Sequence, residues 1–196
     1  LDQAVRLDPL RADGYVNRAD IQLSLDAPVR ALADLDQAIA LDAELARAYY
    51  LKGNTYSSLV HLSQAIQQLD LALGLDPGLV PAYISRAQAQ HRLGLNQLAF
   101  EDLARAIELE PRSAPAYSQR GNIYRKLGES ELAVEDYSMV IDSGFQDSAI
   151  LISRGQAYTR LGQYAKAIDD LTLAINLDPK NELAHEGLRA ARREDG

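Results

Sequence analysis

Apolar and small residues recur along the chain with the spacing of two amphipathic helices, and the pattern repeats every 34 residues. When each unit is numbered from Ala12 or its equivalent, positions 4, 8 and 11 fall on one face of a first helix. Positions 20, 24 and 27 fall on one face of a second helix. The pattern therefore predicts an all-α fold of helix pairs, in which an invariant alanine at position 20 lets the paired helices approach closely. These alanines are Ala31, Ala65, Ala99, Ala133 and Ala167.

Short motifs at the same period mark the ends of the predicted helices. Leu-Asp-Pro, or a close variant of it, closes the second helix because proline cannot continue a helix. This motif begins at Leu7, Leu41, Leu75, Leu109 and Leu177. Gly94, Gly128 and Gly162 occur where the first helix must end, a place that favours glycine.

This combination of exact period and residue types resembles the tetratricopeptide repeat family. It covers almost the whole chain, with Tyr common at position 4, Gly or Ala at position 8 and Ala at position 20. The resemblance implies a right-handed α-solenoid, in which antiparallel helix pairs stack into a superhelix with a concave inner face. We expect a single array with repeats at residues 12–45, 46–79, 80–113, 114–147 and 148–181.

The two ends of the chain are expected to differ from the five repeats. Residues 1–8 match the end of a second helix, so we interpret the chain as a fragment in which residues 1–11 are the end of a truncated preceding repeat. The apolar face of residues 12–45 would then be available for self-association. Residues 182–196 predict a C-terminal capping helix. Its predicted packing residues are Leu183, Ala184, Leu188 and Ala191.

A basic and an acidic residue change together within the repeats. Four repeats carry Arg at position 7 and Asp at position 23, whereas the second repeat carries Lys52 and Gln68. We expect partly buried ion pairs between the paired helices, because a guanidinium can bond both oxygens of a carboxylate. Such a ladder of identical pairs is typical of a scaffold rather than of a catalytic site. The paired residues are Arg18 and Asp34, Arg86 and Asp102, Arg120 and Asp136, and Arg154 and Asp170.

A polar stripe at positions 2, 5, 6, 9, 12 and 13 of the first helices is predicted to line the concave groove, opposite their packing face. Its amide and hydroxyl groups can donate to and accept from a peptide backbone. Tyr50, Ile84 and Ile152 are expected to add apolar footholds. A basic edge is expected from His91, Arg92, Arg125, Lys126 and Arg160. The predicted peptide-binding residues are Tyr50, Asn54, Ile84, Ser85, Gln88, Gln119, Asn122, Arg125, Ser153 and Gln156.

One specialised activity of the family is not expected here. A subgroup binds the acidic C-terminal tails of heat-shock chaperones through a carboxylate clamp of Lys, Asn and Arg. The window that fits best offers Tyr50, Asn54, Ser85, Pro115 and Gln119. Only Asn54 matches the clamp, so we expect no such binding.

Composition narrows the classes of function. The net charge of -8 disfavours nucleic acid as a partner, because phosphates repel an acidic surface. No apolar run is long enough for membrane insertion. The chain has no Cys and its three His lack metal-ligand spacing, so we expect no metal, no cofactor and no enzyme activity.

The leading hypothesis is a scaffold that binds proteins or extended peptides in its groove. The alternative is a regulatory or targeting domain of a larger enzyme or of a secretion or assembly machine, whose chemistry lies outside these residues. A self-assembling structural module is a third hypothesis. The excess of Arg over Lys favours a bacterial gene; the compartment stays open, with the cytoplasm favoured.

Overall fold

The computed structural model describes residues 10–145 and 147–196, and every regular element in these ranges is an α-helix. The residues form two compact units, Leu1–Leu109 and Glu110–Gly196. The prediction for residues 1–8, the end of a truncated helix, lies outside the described residues. None of the described helices is both long enough and apolar enough to cross a membrane.

The helices occur in the predicted order. In the first unit they are α1 (Ala12–Ser24), α2 (Pro28–Leu41), α3 (Ala46–Ser58), α4 (Leu62–Leu75), α5 (Val80–Arg92) and α6 (Asn96–Leu109). In the second unit they are α7 (Ala114–Leu127), α8 (Ser130–Asp142), α9 (Ser148–Arg160), α10 (Tyr164–Leu177) and α11 (Glu182–Asp195). Within each unit, the two helices of a repeat pack together, and each second helix also packs on the next first helix. The predicted all-α architecture of stacked helix pairs is confirmed.

The buried stripe of the second helices forms the centre of each pair. Positions 20, 24 and 27 are 0% exposed in all five repeats, as the pattern predicts. The first helix must lie close against this stripe. A Cβ atom on Gly53 would be only 2.7 Å from Cγ of Leu69, and one on Gly121 would be 3.0 Å from Cε1 of Tyr137. The small residue at position 8 is therefore required by the large residue at position 24.

The second helices end where the Leu-Asp-Pro motif predicts. α2, α4 and α10 stop at its leucine, and the following Asp accepts a bond from a backbone N–H two residues further on. For Asp76 the bond to the Gly78 nitrogen measures 2.9 Å. Such Asx turns turn the chain toward the next repeat. The fourth repeat lacks the motif, and its chain turns instead at Gly144 with a φ of 86°.

The turns after the first helices divide the repeats into two kinds. Gly94, Gly128 and Gly162 have positive φ values, as predicted from their positions. The first two repeats place Asp26 and Val60 at the same point, with φ of 55° and 64°. Valine is branched at Cβ and rarely adopts this left-handed conformation, so the turn at Val60 is strained.

Helix α11 packs on α9 and α10 as a further first helix. Ala184 and Ala191 are 0% exposed and Leu188 is partly buried against the same cluster, as expected. The prediction for Leu183 was wrong, because this side chain is 59% exposed. It precedes Ala184 on the helix, about 100° away from the packing face.

Candidate functional site

The predicted ion pairs join the two helices of four repeats. In each pair the guanidinium Nε and Nη2 atoms of Arg donate to the two carboxylate oxygens of Asp, at 2.6–2.9 Å. The carboxylate side chains are only 4–10% exposed. The prediction of partly buried, bidentate pairs is therefore confirmed, and the ladder belongs to the scaffold.

The residue at position 7 also bonds to the second helix of the preceding repeat. Arg86 Nη1 donates to Asp70 Oδ1 at 2.6 Å, and Arg154 Nη1 donates to Ser138 Oγ at 3.0 Å. In the second repeat, where position 23 is Gln, the Lys52 ammonium contacts Asp36 at 2.6 Å instead. The hydrogen bond to Asp102 is the main cause that raises the pKa of Arg86, against the effect of burial. This cation therefore links one repeat to the next as well as joining its own helix pair.

The predicted groove residues of the first unit lie on the first helices α3 and α5 and are half-buried, except for Gln88, which is exposed. Tyr50 packs against two apolar clusters, one around Leu51 and one around Leu69. No hydrogen bond joins Asn54, Ser85 and Gln88 to one another within the described part of the chain. Asn54 instead lines a cavity of about 260 Å³ beside the turn between α1 and α2.

Polar side chains of neighbouring first helices do meet in this unit. Arg47, at position 2 of the second repeat, donates to Asn17 at 3.2 Å and to Asp20 at 3.0 Å. Both acceptors are on α1, at positions 6 and 9, which belong to the predicted stripe. Arg47 therefore joins the polar stripes of α1 and α3.

In the second unit, three predicted residues converge on one buried side chain. The hydroxyl of Tyr137 donates to Asn122 Oδ1 at 2.9 Å. Burial raises the pKa of this hydroxyl, and the nearby side chains of Arg125 and Ser153 oppose the rise. Asn122 and Arg125 lie on α7 and Ser153 lies on α9, so two first helices meet at this point. We call Asn122, Arg125, Tyr137 and Ser153 the tyrosine cluster.

The sequence pattern assigned Tyr137 to packing alone. It occupies position 24, where the other repeats carry Leu, and its ring is fully buried as that position requires. Its hydroxyl extends beyond the space that a leucine fills and bonds Asn122 on the first helix α7, while staying buried. The signal available in the sequence was this single exchange of Leu for Tyr.

Other expected members of the site have different roles. Ile152 was predicted as an apolar foothold, but it is only 5% exposed and belongs to the core cluster under α11. That prediction was wrong, because α11 packs on α9. Gln119 and Gln156 are half-buried, and His91 Nδ1 lies 2.7 Å from Asn96 Oδ1.

Two cations of the predicted basic edge bond to helix ends. Arg92 Nη1 donates to the Ser57 carbonyl at 2.9 Å, and Arg160 Nη1 donates to the Arg125 carbonyl at 2.9 Å. Each guanidinium therefore caps the C-terminal end of the preceding first helix, where the helix dipole favours positive charge. These bonds leave only part of each guanidinium for an acidic ligand.

The described residues contain no group of three or more His, Asp or Glu placed to hold a metal ion.

Comparison with known proteins gives several family matches. Models described as tetratricopeptide repeat match residues 46–79, 80–113, 103–135 and 148–181. None of the curated proteins compared with this chain matches it.

Solved structures share the fold. YrrB, described as a TPR protein with an unusual peptide-binding site, is 26% identical, with 96% of this chain and 97% of that chain covered and a TM-score of 0.70. PilW, described as a widely conserved type IV pilus biogenesis factor, is 19% identical over 95% of this chain and 87% of its own, with a TM-score of 0.87. In the APC/C hetero-tetramer Cut9–Hcn1, the match is 18% identical and covers 99% of this chain but 39% of that chain, with a TM-score of 0.84.

Proposed function

Because this chain belongs to the tetratricopeptide repeat family, we propose that it binds an extended peptide segment of a partner protein on its first helices. The fold and its structural neighbours support the broader role, a scaffold for protein interactions. In the first unit the proposed binding residues are Tyr50, Asn54, Ile84, Ser85 and Gln88. In the second unit they are Gln119, Asn122, Arg125, Ser153 and Gln156.

The observation that carries this proposal is that the Tyr137 hydroxyl bonds Asn122 Oδ1 at 2.9 Å, next to the side chains of Arg125 and Ser153. In the first unit, Arg47 on α3 bonds Asn17 and Asp20 on α1. Polar groups of neighbouring first helices therefore meet, whereas the ion pairs of the scaffold lie between first and second helices. The half-buried side chains are held in place while part of each stays accessible. The description of YrrB as a peptide-binding protein supports the same class of ligand.

The chemistry of the surface suits a peptide backbone. Asn and Gln side chains donate and accept at once, so they can bond both the N–H and the C=O groups of an extended segment. Each such bond contributes about 0.5–1.5 kcal/mol net, so several must act together. The half-buried side chains of Tyr50 and Ile84 add apolar contact.

The test is a triple substitution, Asn54→Ala, Gln119→Ala and Asn122→Ala. Short peptides selected on the wild-type protein from a random display library would be measured by fluorescence anisotropy. Loss of three bonds should weaken binding by about 1.5–4.5 kcal/mol, which is at least about tenfold in Kd.

The matched control replaces three exposed polar residues of the second helices, with Gln37→Ala, Gln64→Ala and Thr172→Ala. This variant should keep the wild-type Kd. Unchanged affinity in the first variant, or an equal loss in both at unchanged helicity, would exclude the proposed surface.

A further inference from the structure

Tyr137 differs from its equivalents in having a polar atom at the end of a buried side chain. Position 24 is Leu35, Leu69, Leu103 and Leu171 in the other repeats. The phenol ring fills the same buried space, and its hydroxyl bonds Asn122 on the partner helix α7. In the fourth repeat, the buried residue at position 24 therefore bonds a residue of the predicted groove.

The bond to Tyr137 fixes the orientation of the Asn122 amide. The Tyr137 hydroxyl donates to the carbonyl oxygen Oδ1 at 2.9 Å, so the amino group of this amide lies on the other side. A tyrosine hydroxyl is protonated at neutral pH, and burial raises the pKa of Tyr137 further. The Nδ2 group, which is a donor only, is consequently the side of the amide left for a ligand.

The other members of the tyrosine cluster also offer donors. The Nε atom of Arg125 is buried and has no hydrogen-bond partner within the described ranges. Ser153 brings a hydroxyl from α9, and Arg125 brings a positive charge. The nearby Asp136 carboxylate is already engaged by two bonds from Arg120, at 2.7 Å and 2.9 Å.

We propose that Tyr137 is a specificity-determining residue, which orients Asn122 so that the tyrosine cluster selects an acidic side chain of the bound peptide over the corresponding amide. Tyr137 is a positioning residue, since it acts through Asn122. Amino and guanidinium donors match a carboxylate, which only accepts, and such charge-assisted bonds are about twice as strong as neutral ones. This inference rests on the proposed peptide-binding function.

The second repeat provides an internal comparison. Asn54 occupies the position that corresponds to Asn122, but the buried residue beneath it is Leu69. Leucine offers no donor, so this amide is free to present either its oxygen or its nitrogen. Asn54 is therefore expected to accept acidic and amide side chains equally.

The test uses pairs of peptides that differ only by Glu or Gln at one position, taken from the sequences selected on the wild-type protein. The Glu peptide should bind wild type about tenfold tighter than the Gln peptide. In Tyr137→Phe, which keeps the ring, the ratio should fall to about twofold or less, with the Kd for the Gln peptide little changed. Tyr164→Phe, in the same unit, should keep the wild-type ratio.

A second variant separates orientation from packing. Asn122→Asp still accepts from Tyr137 but replaces the Nδ2 donor by an oxygen, so it should lose the preference for Glu. If Tyr137→Phe or Asn122→Asp kept the wild-type ratio, or if wild type showed no preference, the inference would be overturned while the proposed function stood.

The cluster can also be examined without a peptide. In NMR spectra of the intact chain, titration with acetate should shift the Asn122 side-chain amide and the Arg125 Nε–H signals, and acetamide should not. Tyr137→Phe should abolish this response. If no peptide bound but acetate gave the response, the proposed function would fail and the specificity of the cluster would stand; no response to acetate would overturn it.

Discussion

The two ion pairs of Arg86 allow the effect of burial on the free energy of unfolding to be separated from the effect of charge. The same guanidinium bonds Asp102, which is 8% exposed, and Asp70, which is 53% exposed. The shortest contact is 2.6 Å in both cases. The substitutions Asp102→Asn and Asp70→Asn therefore remove the same charge from the same partner in two different environments.

The expected losses differ because of solvent. Breaking a fully buried pair costs about 3–5 kcal/mol, since one charge stays uncompensated. Arg86 is 19% exposed and keeps Asp70, so we expect Asp102→Asn to destabilise the first unit by about 2–4 kcal/mol. Asp70→Asn should cost about 0–1 kcal/mol, as exposed pairs do.

Urea denaturation followed by far-UV circular dichroism measures both values. The small loss from Asp70→Asn should shrink further at high salt, whereas the loss from Asp102→Asn should persist because buried pairs are poorly screened. Equal losses for the two variants, or a larger one for Asp70→Asn, would refute the argument that burial decides the energy.

Four further substitutions test a turn, the helix packing and a helix end by the same denaturation measurement. Val60 has a positive φ and a largely exposed side chain, so Val60→Gly should relieve backbone strain and stabilise the chain by about 0.5–1 kcal/mol. A destabilised variant would show that the turn at Val60 is not strained. Gly74→Ala should stabilise α4 by about 0.5–1 kcal/mol, because no atom lies near the position of the added Cβ. Gly53→Ala should give no gain and up to about 2 kcal/mol of loss, because its added Cβ would meet Leu69. Equal effects of the two substitutions would argue against the close approach of α3 to α4. Arg92→Met should cost about 0.5–1.5 kcal/mol by removing the bond to the Ser57 carbonyl, and an unchanged midpoint would show that this bond contributes nothing.

The regular features of the fold could be predicted because every repeat has the same contacts to make. A buried face at positions 20, 24 and 27 and a turn at each Leu-Asp-Pro motif follow from local sequence and from the period. The pairing of Arg with Asp could be inferred because the two residue types vary together across repeats of one chain. Lys52 follows the same rule, because its ammonium group contacts Asp36 in a repeat whose position 23 carries no carboxylate.

The residues that could not be placed from sequence depend on a particular neighbour. Ile152 and Ile84 share position 5, yet Ile152 is buried and Ile84 is half-exposed. Position 5 lies at the border between the polar stripe and the stacking face, so the size and angle of the next helix decide its exposure. The bond from Tyr137 to Asn122 similarly depends on the reach of one side chain across a helix pair.

The repeats suggest where specificity arises in an array of this kind. Stacking requires each interface to bury the same face, so positions that are alike in every repeat carry stability and cannot distinguish one part of a ligand from another. A polar group can enter such a buried position only if it finds a hydrogen-bond partner. Tyr137 meets this condition by bonding Asn122, and so a change inside the helix pair alters which atoms a half-buried residue presents at the surface. Departures from the repeat at buried positions are therefore as informative about ligand preference as the surface residues themselves.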